Sequence, residues 1–496
     1  MVGLGTLLVA LAAALIVFSQ TVAFVGDEAF HVTAARLVAA GRTPYLDFFH
    51  QHPPLFVWVT AAWFRTVGDS WKSAHVLSTL FTTMAMGLSA MYVHDRAADP
   101  VRRRWTAAFA LVFFGLHEMV VRLGTVGRPY GLCLFLLVAA ALLAIRAARP
   151  ECPWAAANSG LAAGAAAASS LLTVATVPIL LAWIVRRTSG SRRRASAWGF
   201  IAGAALAWIP VAVLAVRAPR PVLFDIFEYH LLHRHDVLVA TLAHDLSTLY
   251  ETWVQSPQQI ALVSLAGAAF AFPDGRADRD PRLHAELRLF AQLGAGLALT
   301  AAASWPTFRE YFVLVIPSLV IPAAIGVVAI AWRLWPDGPP RAAGMMVAVL
   351  FGAWVIAPVY QSVRGEHWAS FEDVGRVVNR VTPPGQLVYA NELITFAAGR
   401  LPAPGLENVH ARRLRLDPRL AAELHAVPDD VLENALRSGR FSTAVVYPGG
   451  LADTTWVGEF FGHRERVRRF DVYWGWKAAS GSRERDDGRA GSPPTR

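Results

Sequence analysis

A polar stretch between residues 26 and 55 contains most of the residues whose types and spacing could do chemistry. It begins with the acidic pair Asp27-Glu28 and ends with Tyr45, Asp47, His50, Gln51 and His52, directly before Pro53-Pro54. A carboxylate can act as a general base on a hydroxyl group, and a histidine can donate a hydrogen bond or carry a positive charge. Acids are also common at helix starts, where they stabilise the helix dipole by about 0.3–1 kcal/mol. Their closeness to the histidines favours a site, with Asp27 and Glu28 as candidate catalytic residues.

A helix is predicted to begin at Pro53, because proline suits the first turn, where backbone N–H groups have no helical partner. Those N–H groups and the positive end of the dipole favour an anion such as phosphate. We therefore expect His52, together with His50 and Asp47 in the same stretch, to bind a phosphate or another part of the substrate. The alternative is a surface histidine before a proline-capped helix.

Two arginines open apolar segments farther along the chain, in Arg128-Pro129-Tyr130 and in Arg309-Glu310-Tyr311. Since arginine binds phosphate groups through paired hydrogen bonds, Arg128, Tyr130, Arg309 and Tyr311 are further candidates for substrate binding. Anchoring at a membrane surface is the alternative explanation for such Arg and Tyr residues. His230, which opens a histidine-rich segment, is another candidate phosphate ligand, and Glu118 is a candidate second acid.

The sequence predicts no nucleotide cofactor and leaves a divalent metal open. Imidazole is a common zinc ligand, but the spacing of the histidine-rich segment matches no known metal site. Two cysteines, Cys133 and Cys152, provide neither a disulfide framework nor a metal motif. Asp278-Arg279-Asp280 imitates the D-x-D of nucleotide-sugar transferases, but it lies in a charged stretch with no predicted strand before it.

The composition indicates a membrane protein with many spans. The chain has 496 residues, of which 55% are hydrophobic and 17% charged, whereas soluble globular proteins have about 25% charged residues. The net charge of +10 comes from arginines in short segments between apolar runs. This distribution is typical of membrane orientation, so we expect membrane lipids and no nucleic acid as partners.

We predict about eleven transmembrane helices, since a span needs about 20 apolar residues. The longest apolar segment, Trp154 to Val185, is expected to form two short spans with a break near Ser169-Ser170. The other predicted spans are Leu4 to Phe24, Ser73 to Val93, Trp105 to Val121, Pro129 to Ile145, Ala195 to Val216, Pro257 to Phe272, Leu287 to Ser304, Tyr311 to Leu334 and Ala343 to Tyr360.

Arginine-rich segments alternate with poorly basic ones, which predicts a cytoplasmic N-terminus and an extracytoplasmic position for residues 26–71. In that outer stretch, Phe30, Ala34, Leu37 and Val38 form one apolar stripe, which predicts a helix lying along the membrane surface. The predicted domains are a transmembrane domain over residues 1–360, a small extracytoplasmic α/β domain over 361–478 and a disordered tail over 479–496.

The motif Y-x-D-F-x-x-x-H-P-P-L from Tyr45 to Leu55, after the acidic pair, resembles the GT-C superfamily of integral-membrane glycosyltransferases. It is most similar to the protein O-mannosyltransferase-like and 4-amino-4-deoxy-L-arabinose transferase-like group. The segments beginning at Arg128 and Arg309 are also similar to that group, so the resemblance covers roughly residues 1–360.

The resemblance implies a transferase that moves a sugar from a polyprenyl-phosphate donor to a hydroxyl group of a lipid, glycan or protein, with inversion, on the extracytoplasmic face of the plasma membrane. Asp27 matches the proposed general base of the family. His52 occupies the position where the aminoarabinose transferases have a lysine near the donor phosphate. Tyr130 stands where some relatives have a second acid, so we expect Glu28 or Glu118 to supply it.

Two other function classes remain open from the sequence. A transporter or flippase for a lipid-linked sugar would carry ionisable groups near the middle of the membrane, whereas the acids here gather at one face. The other is an inert membrane scaffold whose outer domain binds a partner.

Overall fold

The computed structural model describes residues 2–23, 26–97, 99–149, 151–232, 238–272, 281–412, 414, 416–447 and 456–477. The chain divides into two compact units, Met1–His367 and Trp368–Arg496. The first unit is built from α-helices, and the second combines helices with a small sheet. A mostly helical chain with a few strands near its C-terminus was predicted from the sequence, and that part of the prediction is confirmed.

Most helices of the first unit are apolar, as the sequence predicts. They are α1 (Val2–Ser19), α2 (Glu28–Ala39), α3 (Leu55–Val67), α4 (Trp71–Arg96), α5 (Pro100–Gly115), α6 (Glu118–Leu123), α7 (Tyr130–Ala147), α8 (Ala155–Ser169), α9 (Thr176–Arg187), α10 (Gly190–Arg217), α11 (Pro219–Leu223), α12 (Tyr229–Leu232), α13 (Leu238–Trp253), α14 (Pro257–Ala271), α15 (Pro281–Ala302), α16 (Ile316–Leu334) and α17 (Arg341–Ser362). A 3₁₀ segment, Arg309–Val315, leads directly into α16.

Five helical segments among the described residues are long and apolar enough to cross a membrane: Trp71–Arg96, Tyr130–Ala147, Gly190–Arg217, Arg309–Leu334 and Arg341–Ser362. Each coincides with a predicted span to within a few residues. The remaining predicted spans coincide with helices that are shorter or less apolar, so the count of about eleven stays a prediction. The predicted break of the Trp154 to Val185 segment is confirmed, because α8 ends at Ser169.

The predicted span Trp105 to Val121 is wrong as a single helix, because α5 ends at Gly115 and α6 begins at Glu118. The buried side chain of Gln258 on α14 fills this break. Its amide nitrogen donates to the carbonyl oxygens of Leu116 and Phe351, at 2.8 and 2.9 Å, and its oxygen accepts from the Glu118 N–H at 2.8 Å. Backbone groups at a helix break in apolar surroundings need such partners.

The two helices predicted for the outer stretch are present as α2 and α3, and Gly41 after α2 has the positive φ of 93° that glycine adopts most easily. The position of α2 along a membrane surface stays a prediction, but the helix has no exposed apolar stripe. Its residues are buried on every face from Glu28 to Leu37. The polar face is covered as well, since Arg36 forms an ion pair with Asp69 at 2.6 Å.

The second unit has a four-stranded sheet with the order β1-β2-β4-β3. The strands are β1 (Val388–Tyr389), β2 (Thr443–Val446), β3 (Phe461–Val467) and β4 (Phe470–Trp476), and the helices are α18 (Trp368–Val381), α19 (Glu392–Ala397), α20 (Val409–Arg412), α21 (Pro418–Glu423) and α22 (Asp429–Arg437). β1 and β2 are parallel, whereas β4 pairs antiparallel with both β2 and β3. The core between helices and sheet includes Tyr389, Leu436 and Ala444. The predicted tail lies outside the described residues.

Candidate active site

Asp27 lies directly before α2, and the long-range partner of its carboxylate is Arg128. Arg128 belongs to the turn between α6 and α7, and its Nη2 atom is 3.3 Å from Asp27 Oδ2. The same nitrogen donates to Glu310 Oε1 at 2.6 Å and lies 3.4 Å from the hydroxyl oxygen of Tyr130. Three segments distant in sequence therefore meet at one guanidinium group.

The environment of Arg128 keeps it charged. Burial alone would lower the pKa of the guanidinium, but Tyr130 and the carboxylates of Glu310 and Asp27 outweigh it, so the pKa is raised. The Tyr130 ring packs beneath the cation, with the guanidinium carbon 4.9 Å from the ring centroid. Arg128, predicted as a phosphate ligand, thus contacts carboxylates in the structure.

Glu28 occupies a different environment from its neighbour. Its side chain is completely buried, forms an ion pair with His75 on α4 and accepts the Gly127 N–H at 3.0 Å. Gly127 is required here, since a Cβ atom at this position would be 2.9 Å from Glu28 Oε1 and 2.7 Å from Val32. Glu28 therefore fixes the turn that carries Arg128 rather than facing an open site.

The other nitrogen of His75 completes this arrangement. His75 Nδ1 lies 2.5 Å from the carbonyl oxygen of Ser19 at the end of α1. A carbonyl oxygen only accepts, so Nδ1 carries a proton and the Glu28–His75 contact holds a second one. The pair joins α1, α2, α4 and the Gly127 turn through buried hydrogen bonds.

Four histidine rings form a cluster beside Asp27, consisting of His31, His50, His52 and His230. The His52 ring is central, with its centroid 5.1, 6.2 and 5.5 Å from those of His31, His50 and His230. The backbone around it is fixed by Tyr45, whose hydroxyl donates to the His52 carbonyl at 2.6 Å. His230 Nε2 is 2.8 Å from the Gln51 carbonyl oxygen, so the segment before α3 and the segment of α12 meet at this cluster.

Two histidines of this cluster, His50 and His52, are poor positive charges. Burial lowers the pKa of His50 to about 3. Burial, with the neighbouring His230 and His50, also lowers the pKa of His52 well below its usual value, although Asp27 opposes this. At neutral pH, His52 is therefore available to a phosphate as an N–H donor and not as a cation.

Asp225 closes the buried side of the cluster. It accepts the backbone N–H of His50 at 2.9 Å, and burial raises its pKa well above the usual range of an aspartate. Asp47 is exposed and accepts the Thr43 N–H at 2.6 Å, which closes the turn before the cluster. Asp47 thus has a turn-forming contact in the structure.

Arg309 is bound by Glu118. The two side chains form an ion pair, and Glu118 is buried while Arg309 remains partly exposed. Tyr311, two residues later, packs against Phe308 and lies within electrostatic reach of Asp27 and Arg128. The segment Arg309–Tyr311 therefore joins Glu118 to the Asp27–Arg128 pair.

No group of three or more His, Cys, Asp or Glu side chains within the described ranges has the arrangement of a metal site. His233 and His235 of the histidine-rich segment, like Asp278-Arg279-Asp280, lie outside those ranges. The divalent metal left open by the sequence stays a prediction.

Sequence reasoning missed Glu310, His75 and Asp225 as parts of the site. Glu310 stands between two named candidates, Arg309 and Tyr311, but nothing in its spacing indicates a partner 182 residues away. His75 lies inside an apolar helix, where a single histidine usually belongs to the core. Asp225 precedes the histidine-rich segment, and its burial is visible only in three dimensions.

The fold of the first and second units together matches solved structures. ArnT from Cupriavidus metallidurans in the apo state aligns with a TM-score of 0.66 at 17% identity, covering 95% of this chain and 98% of that chain. The same protein bound to undecaprenyl phosphate aligns with a TM-score of 0.64 at 16% identity and the same coverage. An oligosaccharyltransferase from Archaeoglobus fulgidus reaches a TM-score of only 0.48, at 11% identity over 89% of this chain and 69% of that chain. No family model and no curated protein matches the sequence. The likeness shows that this chain shares the fold of ArnT, and the superfamily assignment made from the sequence stays a prediction.

Proposed function

We propose that this protein is an inverting glycosyltransferase that takes a sugar from a polyprenyl-phosphate donor and transfers it to the hydroxyl group of a lipid, glycan or protein. The observation that carries the proposal is the environment of Asp27: a partly exposed carboxylate, held by a buried arginine, beside a cluster of N–H donors. The chain shares its fold with ArnT, and ArnT has been solved with bound undecaprenyl phosphate. The same arrangement gives no support to a transporter or an inert scaffold.

The proposed reaction is a single displacement. Asp27 accepts the proton of the acceptor hydroxyl, whose oxygen forms a bond to the anomeric carbon of the sugar. The bond from that carbon to the phosphate oxygen breaks, and polyprenyl phosphate leaves with the electron pair. Since nucleophile and leaving group occupy opposite sides of the carbon, the anomeric configuration inverts.

His52 and the start of α3 are assigned to the leaving phosphate, because both provide N–H donors at one place. His230 supports His52 through its ring contact, and Arg309, which is partly exposed and paired with Glu118, is a further cation for the phosphate. Arg128 and Tyr130 hold Asp27 in this scheme. We place the site on the extracytoplasmic face of the plasma membrane, where the distribution of arginines puts residues 26–71.

The proposal is tested by replacing Asp27 with asparagine in the purified protein. A general base contributes about 10²- to 10⁴-fold to a rate, so we expect Asp27→Asn to lose activity by that factor. The measurement is transfer from a panel of polyprenyl-phosphate sugars to lipid, glycan and protein fractions, followed beside the thermal melting of each variant.

Asparagine also suits a helix start, so the melting temperature of Asp27→Asn should remain that of the wild type. Asp95→Asn is the matched control, because Asp95 is an exposed carboxylate at the far end of α4, about 30 Å along that helix from His75. Wild-type transfer by a folded Asp27→Asn protein would remove the central residue from the mechanism. Absence of transfer by the wild type from every polyprenyl-phosphate donor would refute the proposed function.

A further inference from the structure

The Asp27–Arg128 contact has a third member, Glu310, at the start of the 3₁₀ segment before α16. Glu310 is closer to Arg128 Nη2 than Asp27 is, at 2.6 against 3.3 Å. The Arg128 side chain is 5% exposed, whereas those of Asp27 and Glu310 are 43% and 30% exposed. The cation therefore lies beneath two carboxylates that both face open space.

This arrangement leaves one negative charge in excess. Both carboxylate oxygens contact the same nitrogen, so they lie within about 6 Å of each other, where like charges repel each other. The excess charge also disfavours a phosphate at Arg128, since an incoming anion would meet two carboxylates. Arg128 is thus better suited to hold acids than to bind the donor.

We propose that Glu310 is the second carboxylate of the active site, a positioning residue that fixes Arg128 beside Asp27 and, by its negative charge, strengthens Asp27 as a base. This inference rests on the proposed function. It assigns the second acid to the segment opening α16, not to Glu28 or Glu118, which are buried and paired with His75 and Arg309.

The other polar groups around Asp27 leave Glu310 as the main source of this effect. Tyr130, Tyr311 and His52 interact electrostatically with Asp27 and come from three other elements. The tyrosines are neutral at ordinary pH, and the lowered pKa of His52 keeps it neutral as well. Arg128 and Glu310 are therefore the charged side chains that meet Asp27 at this contact, with the buried Glu28–His75 ion pair next to them.

The experiment uses the full-length protein and the Glu310→Gln variant. Glutamine keeps the length of the side chain and an oxygen that accepts from Arg128, but removes the charge. We expect the acidic limb of the kcat/KM profile to move to lower pH by about one unit, because a neighbouring anion no longer opposes ionisation of Asp27. The plateau should fall roughly 10-fold, because a base of lower pKa accepts a proton less readily.

A second measurement does not depend on sugar transfer. The infrared band of the protonated Asp27 carboxyl, isolated as the difference between wild type and Asp27→Asn, should titrate at lower pH in the Glu310→Gln background. Glu310→Asp, which keeps the charge, should titrate as the wild type does, and Asp95→Asn should leave both titration and kinetics unchanged. If Glu310→Gln fails to fold, Glu310→Ala, which also removes the charge, is titrated in its place.

The outcomes separate the two proposals. An Asp27 band that titrates identically in wild type and Glu310→Gln would overturn the role of Glu310, whether or not the protein transfers sugar. A shifted band in a protein that transfers no sugar would support the coupling of the two acids and refute the proposed function alone.

Discussion

At the scale of single residues, Asp27 and Glu28 are neighbours in sequence with opposite environments. Successive residues of a helix point about 100° apart, so only one of the two can face a substrate. The sequence identified both acids but could not decide between them. The decision depends on His75 and Gly127, which bury Glu28 from segments 47 and 99 residues away.

Arg128 illustrates the same limit of sequence reasoning. Its position at the start of an apolar segment identified it as a functional candidate, and the structure places it beside Asp27. Glu310, which forms an ion pair with Arg128, comes from a segment 182 residues away, and no local sequence pattern predicts that contact. Residue types and local spacing therefore point to candidate residues more readily than to the contacts between them.

The buried His50 leads to a prediction about acid stability. Its pKa is about 3 in the folded protein and 6.5 ordinarily, so below pH 6.5 the unfolded chain binds a proton that the folded protein does not. Acid should therefore destabilise the fold between pH 6.5 and 3, by about 1.4 kcal/mol per pH unit from this residue. We expect the melting temperature of His50→Phe to fall less than that of the wild type as the pH is lowered from 6.5 to 4.

Asp225 has the opposite effect on the pH dependence of stability. Its pKa is raised in the folded protein, so above pH 3.8, the ordinary pKa of an aspartate, the folded protein keeps a proton that the unfolded chain releases. The contribution of Asp225 cancels when the wild type is compared with His50→Phe, because Asp225 accepts the same backbone N–H in both proteins. If the melting temperatures of the wild type and His50→Phe fall by the same amount between pH 6.5 and 4, His50 is not a buried neutral group.

At the scale of elements, periodicity and turn residues predicted α2, α3 and the break at Ser169. β4 has apolar side chains at alternate positions, Phe470, Val472, Trp474 and Trp476, which is the pattern of a half-buried strand. β3 was missed because Phe461–Val467 is rich in charged residues and mostly exposed. The α5–α6 break was missed because Gln258, which stabilises it, lies on another helix.

The packing of α8 against α10 provides a second test, at two glycines of one helix. A Cβ atom added at Gly203 would lie 2.0 Å from the carbonyl oxygen of Ala157, whereas one added at Gly199 meets its nearest atom at 3.8 Å. Close helix approach through small residues is a common membrane packing mode. We expect Gly203→Ala to lower the melting temperature of the protein and Gly199→Ala to keep or raise it.

Gly199→Ala is the control because it adds the same methyl group to the same helix, where alanine favours the helical state by roughly 1 kcal/mol over glycine. Thermal melting in detergent measures both variants. If Gly203→Ala melts at or above the temperature of Gly199→Ala, the close contact of α8 and α10 is not as the structure has it.

At the scale of the whole molecule, the arginines predict the orientation on which the proposed donor depends. Clusters such as 102–104, 192–194 and 282–288 alternate with the poorly basic stretches that contain the site. Cytoplasmic loops carry an excess of Lys and Arg, so the clusters should be inside and the site outside. This orientation follows from charge alone, since a fold has no inherent direction in a membrane.

Single cysteines at exposed positions test this orientation in a protein lacking Cys133 and Cys152. Thr66→Cys and Arg364→Cys should react with a membrane-impermeant thiol reagent in intact cells, because both belong to stretches predicted to lie outside. Arg104→Cys, Arg194→Cys and Arg288→Cys should react only after the membrane is opened. All five residues are exposed in the structure, so a lack of labelling reflects the membrane and not burial.

The pattern of labelling decides more than topology. Asp27 and Thr66 lie on the same side of the predicted span α4, so reaction of Thr66→Cys in intact cells would place the carboxylate pair where an extracytoplasmic acceptor could reach it. Labelling of Arg104→Cys and Arg288→Cys in intact cells, with Thr66→Cys protected, would invert the protein. The donor would then have to present its sugar on the cytoplasmic face, and the extracytoplasmic part of the proposed function would be wrong while the roles of Asp27 and Glu310 would stand.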